Sequence, residues 1–228
     1  MKNYNGISGK NKEICNSLLK TIVLTFVLLS VIFVLNVNDV SATEWNVTPG
    51  GSIQTAINNA GENDTINVQT NGSDYTYHEN VIVNKTGLII RTEGATVEAA
   101  NPNNPVFTIN SGGSGSTIQS FRITGATGMG STGILLEGTS NCNILYNTIN
   151  GNAEGITLIG STFNTIHANI IENNYGTGIL LAFSPENNLT GNSLYYNGNG
   201  ISLDMSGNNI LRSNEIRNYY YYGTRGYN

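Results

Sequence analysis

The sequence predicts an all-β protein: a right-handed parallel β-helix solenoid with three short strands per 22/23-residue coil and a short N-terminal capping helix. Three observations predict it. Residues 133–222 fall into four tandem copies of one unit, and matching columns of those copies hold the same chemistry. In addition, only 11% of the 228 residues are charged, while 27 are Gly. Long amphipathic helices need charged outer faces, so this composition argues against a helical protein. Gly and the abundant Asn accept the tight, left-handed backbone that frequent turns require.

The first 42 residues stand apart. Lys2, Lys10, Lys12 and Lys20 precede an uncharged apolar run from Thr21 to Leu35, and Val40-Ser41-Ala42 supplies a small-residue cleavage site. This pattern reads as a signal peptide or an uncleaved N-terminal membrane anchor. In either case the rest of the chain is expected to be secreted or held at the cell surface. Contact with a membrane would then run only through this hydrophobic segment. The formal net charge is −5, and no basic patch exists to neutralise phosphates, so nucleic acid is not an expected partner. Cys15 lies in the leader and leaves Cys142 as the single later thiol, so stability must come from stacking and burial instead of an internal disulfide.

Residues 43–132 read as an N-terminal cap followed by irregular coils. Ser52 to Ala60 has the pattern of a helix: Ser52 can cap it, and Ile53, Ala56, Ile57 and Ala60 make an apolar stripe. Trp45 to Ala60 is assigned to covering the open end of the stack, where core and strand edges would otherwise be exposed. Strands are expected at Thr65–Val68, Val81–Val83 and Leu88–Ile90. A looser coil over 104–132 follows, with Val106–Ile109 and Ile118–Ile123 extended around a Gly/Ser loop from Ser111 to Ser116.

The regular copies begin at Gly133, Gly155, Gly178 and Gly200, and residues 223–228 read as the start of a truncated fifth. Ile134, Ile156, Ile179 and Ile201 form one column, with Leu136, Leu158, Leu181 and Leu203 two residues on; that alternation places both on one face of a strand. A second strand carries Ile144, Ile166, Leu189 and Leu211, and a third carries Ile149, Ile171, Leu194 and Ile216. Stacked in parallel, these columns make a continuous core in which each coil touches mainly its neighbours. One polar column is as regular: Asn147, Asn169, Asn192 and Asn214, between the second and third strands. Asn tolerates the left-handed conformation of a tight bend, and its amide both donates and accepts, so this column is expected to form a structural ladder. A hexapeptide left-handed helix would need a strict six-residue period, and a leucine-rich repeat would need a helical return segment; neither pattern is present.

The repeated "GI-x-L … N-x-I-x-x-N-x-I" unit resembles the parallel β-helix repeats of the pectate-lyase-like superfamily. The segment "WNVTPGGSIQTAINNAGENDTINV" followed by "YTYHENVIVNK" resembles the lead-in of NosD-type and archaeal adhesin-like surface proteins. The likeness covers residues 44–222. It implies the fold more specifically than any activity, because such relatives include polysaccharide lyases and hydrolases, a periplasmic copper-related protein and cell-surface proteins.

No catalytic residue, metal site or cofactor is assigned from the residues. Glycoside hydrolysis needs two carboxylates facing one bond. Glu137 and Asp204 share a column but lie three coils apart, about 14 Å at the strand spacing, and Glu154, Glu172, Glu186 and Glu215 fall in other columns. A calcium-dependent lyase would need converging acids with an Arg or Lys base, whereas Arg212 and Arg217 lie on different strands of one coil. Copper would need imidazole or soft ligands, and His78, His167, Met129, Met205 and Cys142 are scattered. Tyr175, Tyr195, Tyr196 and the run that includes Tyr219 and Tyr220 crowd the turns after the third strand. Such aromatics can stack on sugar rings while amides bond hydroxyls, or they can cover neighbouring coils. The expected function is therefore that of an exported, non-catalytic, adhesin-like surface protein, structural or binding polysaccharide or cell-surface glycans. The alternative is an extracellular polysaccharide lyase or glycoside hydrolase of the same fold.

Overall fold

The computed structural model describes residues 14, 16–22, 41–70, 72 and 75–217. The chain divides into two units, residues 1–41 and 42–228. In the first, residues 16–22 are helical, and among the described residues no helix is long and apolar enough to cross a membrane. Most of the expected leader, the Tyr219–Tyr220 pair and the start of a fifth coil lie outside the described residues.

The second unit is a solenoid of three parallel sheets with six, eight and seven strands. Each regular coil gives the first sheet a six-residue strand: Thr132–Glu137, Glu154–Ile159, Thr177–Ala182 and Asn199–Asp204. The second sheet receives Asn143–Leu145, Thr165–His167, Asn188–Thr190 and Ile210–Arg212. The third receives Thr148–Asn150, Ile170–Glu172, Ser193–Tyr195 and Glu215–Arg217. Register is kept from coil to coil: Ile134 pairs with Ile156, Ile156 with Ile179, and Ile179 with Ile201. Each aliphatic column thus stacks on itself, and Ile134, Leu136, Ile144, Ile149 and their counterparts in the next two coils are completely buried. In the fourth coil Leu203, Leu211 and Ile216 are each nearly half exposed.

The irregular region joins the same sheets. Val81–Val83, Ile89–Thr92 and Thr96–Glu98 form one coil, and Phe107–Ile109, Thr117–Gln119 and Arg122–Thr124 form the next. The expected run Ile118–Ile123 is two strands, because Ser120 turns the chain with φ 66°. Inside this coil Phe107 and Phe121 fill the core with ring centroids 5.3 Å apart. The strands Thr76–His78 and Thr96–Glu98 each bury one side chain, Tyr77 and Val97, and so offer no alternation for a sequence reading to detect. The Gly/Ser loop contains a 3-10 turn at Ser111–Gly113, capped by Asn110.

Helix α1 (Ile53–Asn59) buries Ile53, Ala56 and Ile57 against the strands Glu44–Val47, Thr65–Val68 and Val81–Val83. Ser52 caps it by accepting from the Thr55 amide. The Glu79 carboxylate accepts from the Ile53 and Gln54 amides at 2.8 and 2.9 Å, a favourable placement of negative charge at the positive end of the helix dipole. Trp45, in the segment assigned to the cap, lies on Glu44–Val47, the end strand of the second sheet. Its indole donates to Asp64 at 2.9 Å. With the Thr43 and Gly61 amides donating as well, the Asp64 carboxyl is held below its ordinary value, the Thr43 bond being the largest cause.

Candidate functional site

The corners of the solenoid decide which side chains reach solvent. At the corner between the second and third strands the left-handed residue comes one position before the Asn column: Tyr146 (φ 57°), Ala168 (φ 54°), Gly191 (φ 65°) and Ser213 (φ 55°). The expected reason for this column, that Asn itself takes the left-handed conformation, is therefore corrected. The bend turns the next N–H along the stack, where no strand carbonyl meets it, and the Asn of the following coil accepts it. Asn147 N donates to Asn169 Oδ1 at 2.9 Å and Asn169 N to Asn192 Oδ1 at 3.0 Å. The side-chain amides continue the chain: Asn147 Nδ2 donates to Asn169 Oδ1 (3.1 Å), Asn169 to Asn192 (3.0 Å), and Asn192 to Asn214 (2.9 Å).

The same device recurs at the other corners. Asn152, Asn174 and Asn197 connect after the third strand. Asn164, Asn187 and Asn209 connect before the second, and Ser161, Ser184 and Ser206 connect after the first. Cys142 stands at the head of one Asn column; its amide donates to Asn164 and its thiol is fully buried. Burial pushes that thiol pKa upward, so it is a poorly reactive packing residue.

Large aromatic residues occupy several left-handed corner positions. Tyr146, Phe163, Phe183 and Tyr196 have φ between 50° and 57°, and each exposes more than half of its surface. For bulky side chains this conformation is uncommon and costs about 1 kcal/mol. Neighbouring coils fill the equivalent positions with Gly151 and Asn173 (Tyr196), or Ala168 and Gly191 (Tyr146). Tyr175 is 72% exposed at the same corner as Tyr196, one coil earlier. Tyr195, expected in a turn, ends the strand Ser193–Tyr195, is half-buried, and donates its hydroxyl to Glu215 at 2.6 Å. That hydrogen bond, aided by Arg217, holds the Glu215 carboxyl below its ordinary value. Tyr146, Phe163 and Phe183 escaped the sequence reading, although an aromatic inside a segment otherwise made of turn residues is a usable signal.

The charged residues are spread over separate faces. Glu137 and Asp204 close one row of the first sheet, with Ile159 and Ala182 between them. Arg212 lies on the second sheet and Arg217 on the third. His78 pairs with Glu98 at 3.3 Å on the third sheet, whereas His167 meets Thr190 and the Tyr146 ring on the second. Among the described residues no three His, Cys, Asp or Glu side chains converge.

A family model described as periplasmic copper-binding protein (NosD) matches residues 57–227. No curated protein and no solved structure matches the chain. The donors of the described residues do not fit copper, which asks for clustered imidazole, thiolate or thioether ligands. The two imidazoles are on different sheets, the thiol is buried beside carbonyl groups, and Met129 and Met205 project alone into solvent. Titration of the purified protein with cupric and cuprous ion, followed by absorption and calorimetry, is expected to give no saturable one-to-one binding. A stoichiometric site would reverse that expectation.

Proposed function

The chain belongs to the NosD family of periplasmic, parallel β-helix proteins, and from that premise we propose that it is a non-catalytic, adhesin-like binding platform for glycans. The observation that carries the reading is the third-corner pair, Tyr175 and Tyr196, exposed in successive coils. Tyr196 keeps a strained left-handed backbone where Asn173 and Gly151 serve the neighbouring coils without a ring. Strain retained at an exposed aromatic points to a use for the ring, since nothing in the core depends on it. Rings on a rigid stack lose little conformational freedom on binding, and they offer apolar faces to sugar rings with amides close by. The buried Asn columns are the scaffold of this platform. Residues 1–42 direct export and retain or release the chain at the surface.

The test is a panel of polysaccharides, recording both binding and released products. Tyr175→Ala and Tyr196→Asn install the residues that Ala153 and Asn173 already provide one coil earlier, so the fold is expected to survive, with Tyr196→Asn slightly raising stability. Together they are expected to weaken glycan binding by about tenfold or more, since each stacked aromatic face contributes about 0.5–1.5 kcal/mol. Binding that the double variant leaves intact would remove the tyrosine pair from the site. Released sugars would overturn the non-catalytic reading and turn attention to Glu137, Asp204 and Arg212.

A further inference from the structure

At the N-terminal end of the second sheet is a polar groove of about 630 Å³, lined by Asn46, Asn67, Gln69, Arg91, Thr92 and Glu93. This volume lies within the range of small-molecule sites. Parallel pairing builds the groove from two outward rows. Asn46 stacks on Asn67 and Asn67 on Arg91; Gln69 and Glu93 follow the paired Val68 and Thr92 in the second row.

The groups in these rows are partly committed and partly open. Arg91 Nε donates to Asn67 Oδ1 at 2.7 Å, and Arg91 Nη2 lies 3.5 Å from Glu44. Asn67 Nδ2 also reaches Glu44, and Gln69 Nε2 reaches Asn46 Oδ1 at 3.5 Å. These contacts hold the side chains in place along one edge. Arg91 Nη1, Asn46 Nδ2, Gln69 Oε1 and the Glu93 carboxylate have no partner among the described residues.

We propose that this groove is a binding site for a neutral oligosaccharide, distinct from the tyrosine corner. The open groups comprise two donors and two acceptors, and a sugar hydroxyl donates and accepts at once. Charge argues against an acidic ligand. One guanidinium is offset by two carboxylates, Glu44 and Glu93, so an anion entering here meets net negative charge. A polymer of like sugar units laid across the first coils would meet a polar side chain at each step from Asn46 through Asn67 and Arg91 to Gln119, where Leu145 of the next coil ends the polar row. The proposal rests on the glycan-binding reading above and assigns it a second surface.

The probes are neutral oligomers of glucose, galactose, mannose or N-acetylglucosamine, four to six units long, with oligogalacturonate as the acidic arm. Binding is read by calorimetry and saturation-transfer NMR on the full chain. Arg91→Gln and Gln69→Ala, measured separately, are expected to weaken binding of a neutral oligomer by about tenfold, the loss of one or two good hydrogen bonds. The Tyr175→Ala/Tyr196→Asn protein is expected to keep that binding. Neutral binding abolished by the tyrosine changes and untouched by either groove change would overturn the groove while leaving the platform standing. Preference for oligogalacturonate would overturn the neutral class. Absence of any saccharide binding would overturn groove and platform together.

Discussion

Asn169→Leu is expected to lower the stability of the solenoid by about 3 kcal/mol or more, a large share of the roughly 5–15 kcal/mol that holds a typical domain together. Asn169 is completely buried and makes connections in both directions along the stack. Its Oδ1 accepts from Asn147 N and Asn147 Nδ2, while its Nδ2 donates to Ile144 O at 2.9 Å and to Asn192 Oδ1. Leucine has nearly the right size but no polar atoms. The Asn147 main-chain amide would then sit in a dry interior with no partner, at a cost of about 1–3 kcal/mol, and the Asn147 side-chain amide, the Ile144 carbonyl and Asn192 Oδ1 would each lose one of their contacts. Hydrophobic gain does not offset this, because an apolar replacement helps only when both partners of a hydrogen bond are removed. Asn143→Ala makes the control, since Asn143 faces outward and its side chain makes one long contact, 3.4 Å, with Thr117. That change is expected to stay within about 0.5 kcal/mol. Urea denaturation monitored by circular dichroism measures both. Equal midpoints for Asn169→Leu and the wild type would remove the structural role from this column.

How much of this was legible in advance depended on repetition. The four regular coils have a register because Gly133, Gly155, Gly178 and Gly200 recur with the same aliphatic residues behind them, and the observed pairing follows that register. The second-corner Asn column was legible because all four copies hold Asn. The two neighbouring Asn columns lie five residues to either side, yet each is broken once: Cys142 replaces Asn in the first copy and Tyr219 in the fourth. A single substitution hid columns that the hydrogen bonds make plain. Upstream the reading weakened for another reason. Phe121 and Ala126 stand where later coils place Asn, and their amides are bonded by Asn147 and Asn152 from below. The corner chemistry is thus supplied by the next coil and leaves no mark in the local sequence. The groove at Asn46, Asn67 and Arg91 was illegible altogether, because segments 21 and 24 residues apart share no motif and only strand pairing aligns them.

Gly155→Ala is the second large expected effect, and its origin is steric, with no part played by backbone conformation. A Cβ on Gly155 would lie 2.3 Å from the carbonyl oxygen of Gly178 and 2.7 Å from Ile171 Cγ2. The oxygen belongs to the main chain of the next coil, which cannot rotate away as a side-chain end could. Relief requires the coils to separate locally, which would weaken the parallel pairing between Glu154–Ile159 and Thr177–Ala182. Overpacking of a close-packed interior costs about 1–3 kcal/mol, and a main-chain clash belongs at the upper end of that range. The other repeat-opening glycines allow a graded test. At Gly178 the nearest main-chain oxygen is Gly200 O at 3.0 Å, and at Gly200 the three nearest atoms among the described residues belong to the Ile216 side chain. Alanine is therefore expected to cost most at Gly155, less at Gly178 and least at Gly200. Gly160→Ala supplies the opposite case: φ is +57° and nothing lies within 4 Å of the added carbon. Only the left-handed backbone is penalised there, by about 1 kcal/mol, and Phe183 and Met205 already tolerate it one and two coils on, at φ 50° and 46°. Denaturation midpoints for the four alanine variants decide the matter. A Gly155→Ala protein as stable as Gly160→Ala would show that the coils can part at no cost, and that the repeated glycine has a reason other than close approach of the backbone.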